Sequence, residues 1–225
     1  MNELSNYLKL FKQEGFCELK NFFDKSECDH LYNRIKKNRK WNKNLFLNKK
    51  NFLINPQMKK TNPGKNIFNL VNKYNLDFIE KNKTINSILN QILGENYELM
   101  LSKFVVAVPQ KWMPKYVKNI NKKKLVSNFG PYIKKKYRDV TYFRGLEYHM
   151  DSVDWKNQSN KFVTMYVYLN DTNLSMSPLN VIKKSHVLGH TSFPHFIKAH
   201  KNNKFIKYSS NNKKFFNFKI KTLIG

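Results

Sequence analysis

Cysteine is scarce in this sequence, long apolar runs are missing, and acidic side chains are heavily outnumbered. Each shortage excludes something. Two cysteines, Cys17 and Cys28, are too few for a disulfide scaffold, and without an export signal they are expected to be reduced thiols packed in a core. No stretch of about 18 consecutive apolar residues occurs, so no transmembrane helix is expected. The opening Met1-Asn2-Glu3-Leu4-Ser5 has neither the basic start nor the apolar stretch of a secretory leader. The expectation is a cytoplasmic protein with no membrane association. No internal repeat is present.

What the chain has in excess is positive charge: 42 Lys and Arg against 15 Asp and Glu, a formal net charge of +27. Charge on this scale suggests a nucleic-acid or anionic-membrane binder, because Lys and Arg neutralise phosphates and release counterions. The distribution argues otherwise. Runs are short, Lys122-Lys123-Lys124 and Lys134-Lys135-Lys136, and the remaining lysines are interleaved with asparagine, isoleucine, phenylalanine and tyrosine. Those residue types share A/T-rich codons, so a solvated basic surface set by base composition is expected and no specific nucleic-acid partner. The charge mildly favours an anionic small-molecule substrate.

At 225 residues and 40% hydrophobic content, one domain with a real core is the default. Leu4, Leu8 and Phe11 share a helical face that Gly15 ends. Asp24 caps a second helix, with Glu27 at capping-box spacing and Cys28, Leu31, Tyr32 and Ile35 as its apolar stripe. Residues 38 to 66, polar and broken by Pro56 and Asn62-Pro63-Gly64, read as a long surface excursion and a candidate lid. A third helix is predicted over Thr84 to Leu93, with Ile85, Ile88, Leu89, Ile92 and Leu93 on one face, Gly94 as terminator and a sheet as packing partner.

From Glu98 the pattern becomes extended. Leu99 to Val108, Tyr137 to Asp151, Lys161 to Leu169, Leu179 to Ile182 and a run beginning at Phe215 to Phe218 are strand candidates. In Lys161 to Leu169, Phe162, Thr164, Tyr166 and Tyr168 alternate with Val163, Met165, Val167 and Leu169, as in a strand covered on both faces. Helices first and short antiparallel-looking strands afterwards indicate an α+β chain. Residues 1–97 would form a mainly helical cap with its excursion, and residues 98–225 the strands of a β-sandwich or jelly roll.

His149 and Asp151 fall near the end of a predicted strand, where alternation points residues i and i+2 to the same face. One imidazole and one carboxylate converge there, the local half of a two-histidine, one-carboxylate facial triad that holds Fe(II) and leaves positions open for cosubstrate and dioxygen. A His-x-Asp tripeptide on its own equally describes a surface histidine beside a solvated aspartate. Its surroundings distinguish it. Glu147-Tyr148-His149-Met150-Asp151-Ser152-Val153-Asp154-Trp155, then Tyr168-Leu169-Asn170-Asp171, then Ser177-Pro178-Leu179 through Lys183-Lys184-Ser185-His186-Val187-Leu188-Gly189-His190 follow in order and at compact spacing. This succession resembles the phytanoyl-CoA dioxygenase-like family of Fe(II)/2-oxoglutarate-dependent oxygenases. The opening Gly15-Phe16 through Asn21-Phe22-Phe23 and the Cys28 to Ile35 helix are similar to that family's N-terminal cap, so the resemblance covers most of the chain from residue 8 onward.

The resemblance implies a double-stranded β-helix (jelly-roll, cupin-like) and an oxidoreductase. That enzyme would use iron and 2-oxoglutarate, as cosubstrate, to hydroxylate a small molecule, releasing succinate and CO2. It makes His149 and Asp151 metal ligands. Thr164 matches a position that contacts 2-oxoglutarate, though an ordinary strand threonine would look the same. Lys103, on the preceding strand, would reach a carboxylate or simply be solvated. Trp155 shares its offset with a tryptophan of the related ectoine hydroxylases and would wall the substrate pocket or anchor its rim. Asp154 is expected in a turn, and His30 on the surface of the second helix.

Two departures matter. Lys183-Lys184 stands where the family has Pro-Gly, so the turn before Ser185 is expected at some conformational cost. The run Phe216 to Gly225 resembles the approach to the family's distal-histidine strand, which places that histidine, the 2-oxoglutarate-binding arginine and the closing strands beyond Gly225. His186 and His190 match a structural turn, and His195 and His200 have no motif around them, so none is expected as the third ligand. The rival readings are an inactive oxygenase-like fragment and a basic polyanion-binding module. Neither substrate identity nor oligomeric state is encoded in any motif of the chain.

Overall fold

Helices form where the sequence supplies their caps. The computed structural model describes residues 3–54, 69–123, 129–143, 162–188, 196–199, 205–209 and 215–224. Its helices are α1 (Glu3–Glu14), α2 (Lys25–Asn38), α3 (Lys49–Ile54), α4 (Asp77–Glu80), α5 (Lys83–Leu93) and α6 (Lys115–Lys123). Before α2, the Asp24 carboxylate accepts the Ser26 N–H at 2.6 Å. Bonds from the Ser26 hydroxyl and from the Ser26 and Glu27 amides hold this carboxyl below its usual range. α5 starts one residue before the predicted Thr84, and its cap is Asn82, whose side-chain oxygen accepts from the Thr84 and Ile85 amides at 3.1 Å each. Gly94, at φ +100°, closes the helix by donating to the Asn90 carbonyl. Such caps satisfy amides and carbonyls that the helix ends leave without partners.

The chain separates into two compact units, each discontinuous in sequence. The first comprises Met1–Cys28, Asp77–Glu98 and Glu147–Gly225. In it, among the described residues, α5 packs on α1 and α4, whose apolar faces its stripe meets. Ile85 and Ile88 are buried there, each contributing about 1.5–3 kcal/mol. Phe22, Phe23 and Phe78 add an edge-to-face series with centroids 5.1 and 5.6 Å apart.

Four strands follow in this unit: β3 (Leu179–Ile182), β4 (Phe196–Ala199), β5 (Phe205–Ser209) and β6 (Phe215–Leu223), counted after the short β1 and β2 of the other unit. They pair antiparallel in the order β3-β6-β5-β4. Leu179 lies opposite Leu223 and Ile182 opposite Ile220, so the two runs expected as strands find each other. The polar stretch between them is not all loop. It carries β4 and β5, whose apolar pairs are too short and too diluted by lysine to reveal a period. Residues 162–168 form no ladder among the described residues, and Met165 and Tyr166 there are exposed instead of covered on both faces. The expected jelly roll draws on residues 144–161, which lie outside the described residues.

The second unit, Asp29–Leu76 and Leu99–Leu146, contains most of the buried apolar side chains. Leu45, Val117, Ile133, Val140 and Tyr142 are fully enclosed, and Phe46, Leu47 and Phe129 nearly so. Leu45 to Leu47 fall in the segment expected as surface excursion. They are core because the backbone there is paired: Leu47 donates to Tyr132 at 2.8 Å and Lys134 to Leu45 at 3.0 Å, around a bridge between Phe46 and Ile133. Residues 55–66, the last part of the candidate lid, lie outside the described residues. β1 (Val105–Ala107) and β2 (Thr141–Phe143) pair in parallel, Val105 opposite Thr141 and Ala107 opposite Phe143. Their connection contains α6, the crossover that parallel strands require.

Asp139 ties this unit together. Its carboxylate pairs with the Arg39 guanidinium, and its backbone carbonyl accepts from Leu70 at 2.8 Å. Arg39 also donates to the Lys136 carbonyl at 2.7 Å. Nearby, the Trp41 indole N–H donates to the Tyr142 hydroxyl at 3.1 Å, and the buried Arg138 donates to the Ile133 carbonyl at 3.0 Å. Among the described residues no helix is long and apolar enough to cross a membrane. Both cysteines are free thiols, Cys28 buried and Cys17 half-buried, and burial pushes the Cys17 thiol up.

Burial drives the Tyr142 phenol up to about 12. A phenol ionises near pH 10 in an unfolded chain, so the stabilisation it carries is complete below that value and lost as pH rises toward about 12. The two-unit difference is worth about 2–3 kcal/mol. Burial also pushes the Tyr116 phenol up to about 12, so alkaline titration followed by tyrosinate absorbance should show more than one phenol resisting ionisation until the fold opens, and Tyr142→Phe should reduce the amplitude of that late step by one tyrosine.

Candidate functional site

Of the residues expected to build the site, His149, Asp151 and Trp155 lie outside the described residues, as do Asp154, His190, His195 and His200. Thr164 and Lys103 are described. Thr164 is exposed, in the segment 162–168 of the first unit. Lys103 belongs to the second unit, on the approach to β1. From residue 101 to 108 exposure alternates strictly, with Ser102, Phe104, Val106 and Val108 turned inward and Leu101, Lys103, Val105 and Ala107 outward. Its neighbours fix the backbone of Lys103: Ser102 accepts from the Asn69 side chain, and Phe104 accepts from the Thr141 amide. The ammonium is therefore solvated. The two expected 2-oxoglutarate contacts thus occur in different units. Among the described residues no three His, Cys, Asp or Glu side chains are grouped to hold a metal.

The motif region that is described is the turn after β3. Lys184 adopts φ +63°, the left-handed conformation that favours glycine and costs other residues about 1–2 kcal/mol. This is the cost expected from Lys-Lys in place of Pro-Gly. The turn offsets it by capping the C-terminus of α1. The Lys184 amide donates to the Glu14 carbonyl at 2.8 Å, and the His186 ring nitrogen Nε2 stands 3.1 Å from the Lys12 carbonyl. A carbonyl only accepts, so Nε2 carries the proton. The Lys183 ammonium meets the Glu14 carboxylate at 2.9 Å, placing a cation where the helix dipole is negative. With Gly15 donating to Phe11 at 2.9 Å, three of the last helical carbonyls are satisfied.

His186 is therefore a helix cap, its Nε2 already engaged. The ring lies over Gly15, whose φ is +82°, and a Cβ there would stand 2.3 Å from His186 Nδ1. Sequence reasoning anticipated a structural role for His186 but missed its partner, because a contact from residue 186 to residue 12 leaves no local pattern. His30 is exposed on α2, as expected.

Gly15→Ala should lower stability by about 2 kcal/mol or more, because left-handed backbone strain adds to a displaced ring. Lys184→Gly should raise it by less than about 1 kcal/mol, since relief of strain exceeds the roughly 0.5–1 kcal/mol entropic cost of glycine. Denaturant midpoints measure both, and a stabilising Gly15→Ala would contradict the packing described. In comparisons with family models, curated proteins and solved structures, the chain matches none.

Proposed function

We propose that the chain is an Fe(II)/2-oxoglutarate-dependent dioxygenase acting on a small-molecule substrate. The observation that carries this reading is the succession in sequence of His149-x-Asp151, the acidic turn Asn170-Asp171 and the Ser185-His186 turn after β3. Support comes from that turn, where Lys184 takes up the left-handed backbone a glycine would supply and His186 caps α1. A turn kept at conformational cost positions the strand before it.

The donor set, one imidazole and one carboxylate at alternate positions, suits a borderline divalent metal such as iron. His149 and Asp151 would hold it as two of its protein ligands. When bound, Fe(II) with 2-oxoglutarate and dioxygen supplies oxidative decarboxylation coupled to hydroxylation of a C–H bond. The protein's part is to fix the ligands, orient the cosubstrate and keep the pocket dry. In this reading Thr164 orients 2-oxoglutarate, Trp155 walls the substrate pocket, and Lys103 would act only if its outward side chain is redirected.

The test is an anaerobic titration with Fe(II) and 2-oxoglutarate, recording the visible metal-to-ligand charge-transfer band. The chain should give the band, His149→Ala and Asp151→Ala should abolish it, and Lys122→Ala should leave it unchanged. Absence of a band overturns the proposal.

A further inference from the structure

The second unit contains a concavity that the iron reading does not use. Arg34, Asn38 and Arg39 from the end of α2 face Leu70, Lys73 and Tyr74 from a 3-10 turn, around a cavity of about 240 Å³. Three cations converge on it, and their partners differ. Arg39 is neutralised by Asp139. Arg34 lies over the Tyr74 ring, 5.5 Å from its centroid, and neither it nor Lys73 has a carboxylate partner among the described residues. Two uncompensated positive charges therefore share one small concavity. Around it the Asn38 amide donates to the Tyr74 hydroxyl at 3.5 Å, and the Tyr74 amide donates to the Val71 carbonyl at 2.9 Å.

We infer that this concavity is a binding site for a small phosphate monoester. Cations that repel each other without a counter-ion are stabilised by an anion placed between them. The opposing influence is the C-terminus of α2, equivalent to about half a negative charge. Two full positive charges outweigh it. A phosphate monoester carries about −1.5 to −2 charge near neutral pH, which balances Arg34 and Lys73, and its oxygens match the planar fork of a guanidinium. Size sets the limit on the rest of the ligand. A cavity of about 240 Å³ is below the roughly 300–1,000 Å³ of drug-sized sites, which leaves room for a phosphoryl group and a few carbons. Leu70 and the Tyr74 ring supply the apolar contact that an ester uses and inorganic phosphate does not.

Arg39 is unsuitable as a probe because its loss would leave Asp139 unpaired. Arg34 and Lys73 are exposed and can be changed without disturbing the core. Calorimetric titration of the full chain with glycerol 3-phosphate should show binding that Arg34→Gln and Lys73→Gln each weaken about tenfold, or about 1.4 kcal/mol. Lys122→Gln, the same charge change at an exposed position of α6, should have no such effect. Inorganic phosphate should bind more weakly than the ester.

An equal loss with Lys122→Gln would mean that phosphate associates with the basic surface at large, and would overturn the site. Inorganic phosphate binding as tightly as the ester would overturn the ester assignment. So would a single-stranded RNA oligomer that needs Arg34 where glycerol 3-phosphate does not bind. No phosphate binding in any form would overturn the inference altogether, and the iron-dependent band, read separately, would be untouched by either result.

Discussion

Asp139 is the joint on which the second unit depends. One carboxylate oxygen takes the Arg39 guanidinium, the other has no partner among the described residues, and the backbone carbonyl takes the Leu70 amide. Three segments far apart in sequence are thereby fixed to one residue: the end of α2, the turn at 70–73 and the entry to β2. The ion pair does not serve stability alone. Two charges at 13% and 16% side-chain exposure pay a desolvation penalty that an apolar pair would avoid. What the charged pair adds is direction, because a guanidinium also bonded to the Lys136 carbonyl accepts a carboxylate from few angles. Such direction holds the two walls of the basic concavity, the last turns of α2 and the turn carrying Lys73, at a set separation.

The parts of the fold legible in the sequence were those written in adjacent residues. Asp24, Gly15, Gly94 and the stripe through Ile85 and Ile88 act within one helical turn of their effects, so their consequences could be read locally. Leu179 to Ile182 and the run from Phe215 were legible as strands, and their pairing was not, because register joins positions some forty residues apart. Leu45 to Leu47 were misread for a related reason. A short apolar run amid lysine and asparagine has no period, and what buries it is backbone pairing with Tyr132 and Lys134. Phe196-Ile197 and Phe205-Ile206 are similar. Two apolar residues flanked by polar ones become strand only through their neighbours in the sheet.

The candidate site divides in the same way. His149 and Asp151 were proposed from strand alternation, a two-residue rule, and lie outside the described residues, whereas Lys183-Lys184 was legible because a missing glycine at a sharp turn has a physical cost. That cost is realised at Lys184 and offset by three contacts to the end of α1. Lys103 is a different lesson. The strand expected over Leu99 to Val108 shrinks to Val105–Ala107, which leaves Lys103 ahead of it, and the inward set is Ser102, Phe104, Val106 and Val108. A lysine one residue out of phase with the core meets solvent, whatever chemistry its strand supports.

The basic composition raises the question of which of 42 Lys and Arg residues do anything specific. Counting does not answer it. At physiological salt, exposed charges separated by more than about 8 Å hardly sense one another, so lysines spread along a surface add net charge without adding a site. Geometry separates a few from the rest. Lys183 is consumed by Glu14 and Arg39 by Asp139, while Lys81 meets Asp77 as an exposed pair one helical turn away. Arg34 and Lys73 differ in keeping their charge and sharing a concavity. A sequence biased toward lysine by its codons supplies cations at random, and the fold selects those that converge. The expectation that the surface charge is largely compositional is thus compatible with an anion site, because convergence is set by Asp139 and the walls it joins.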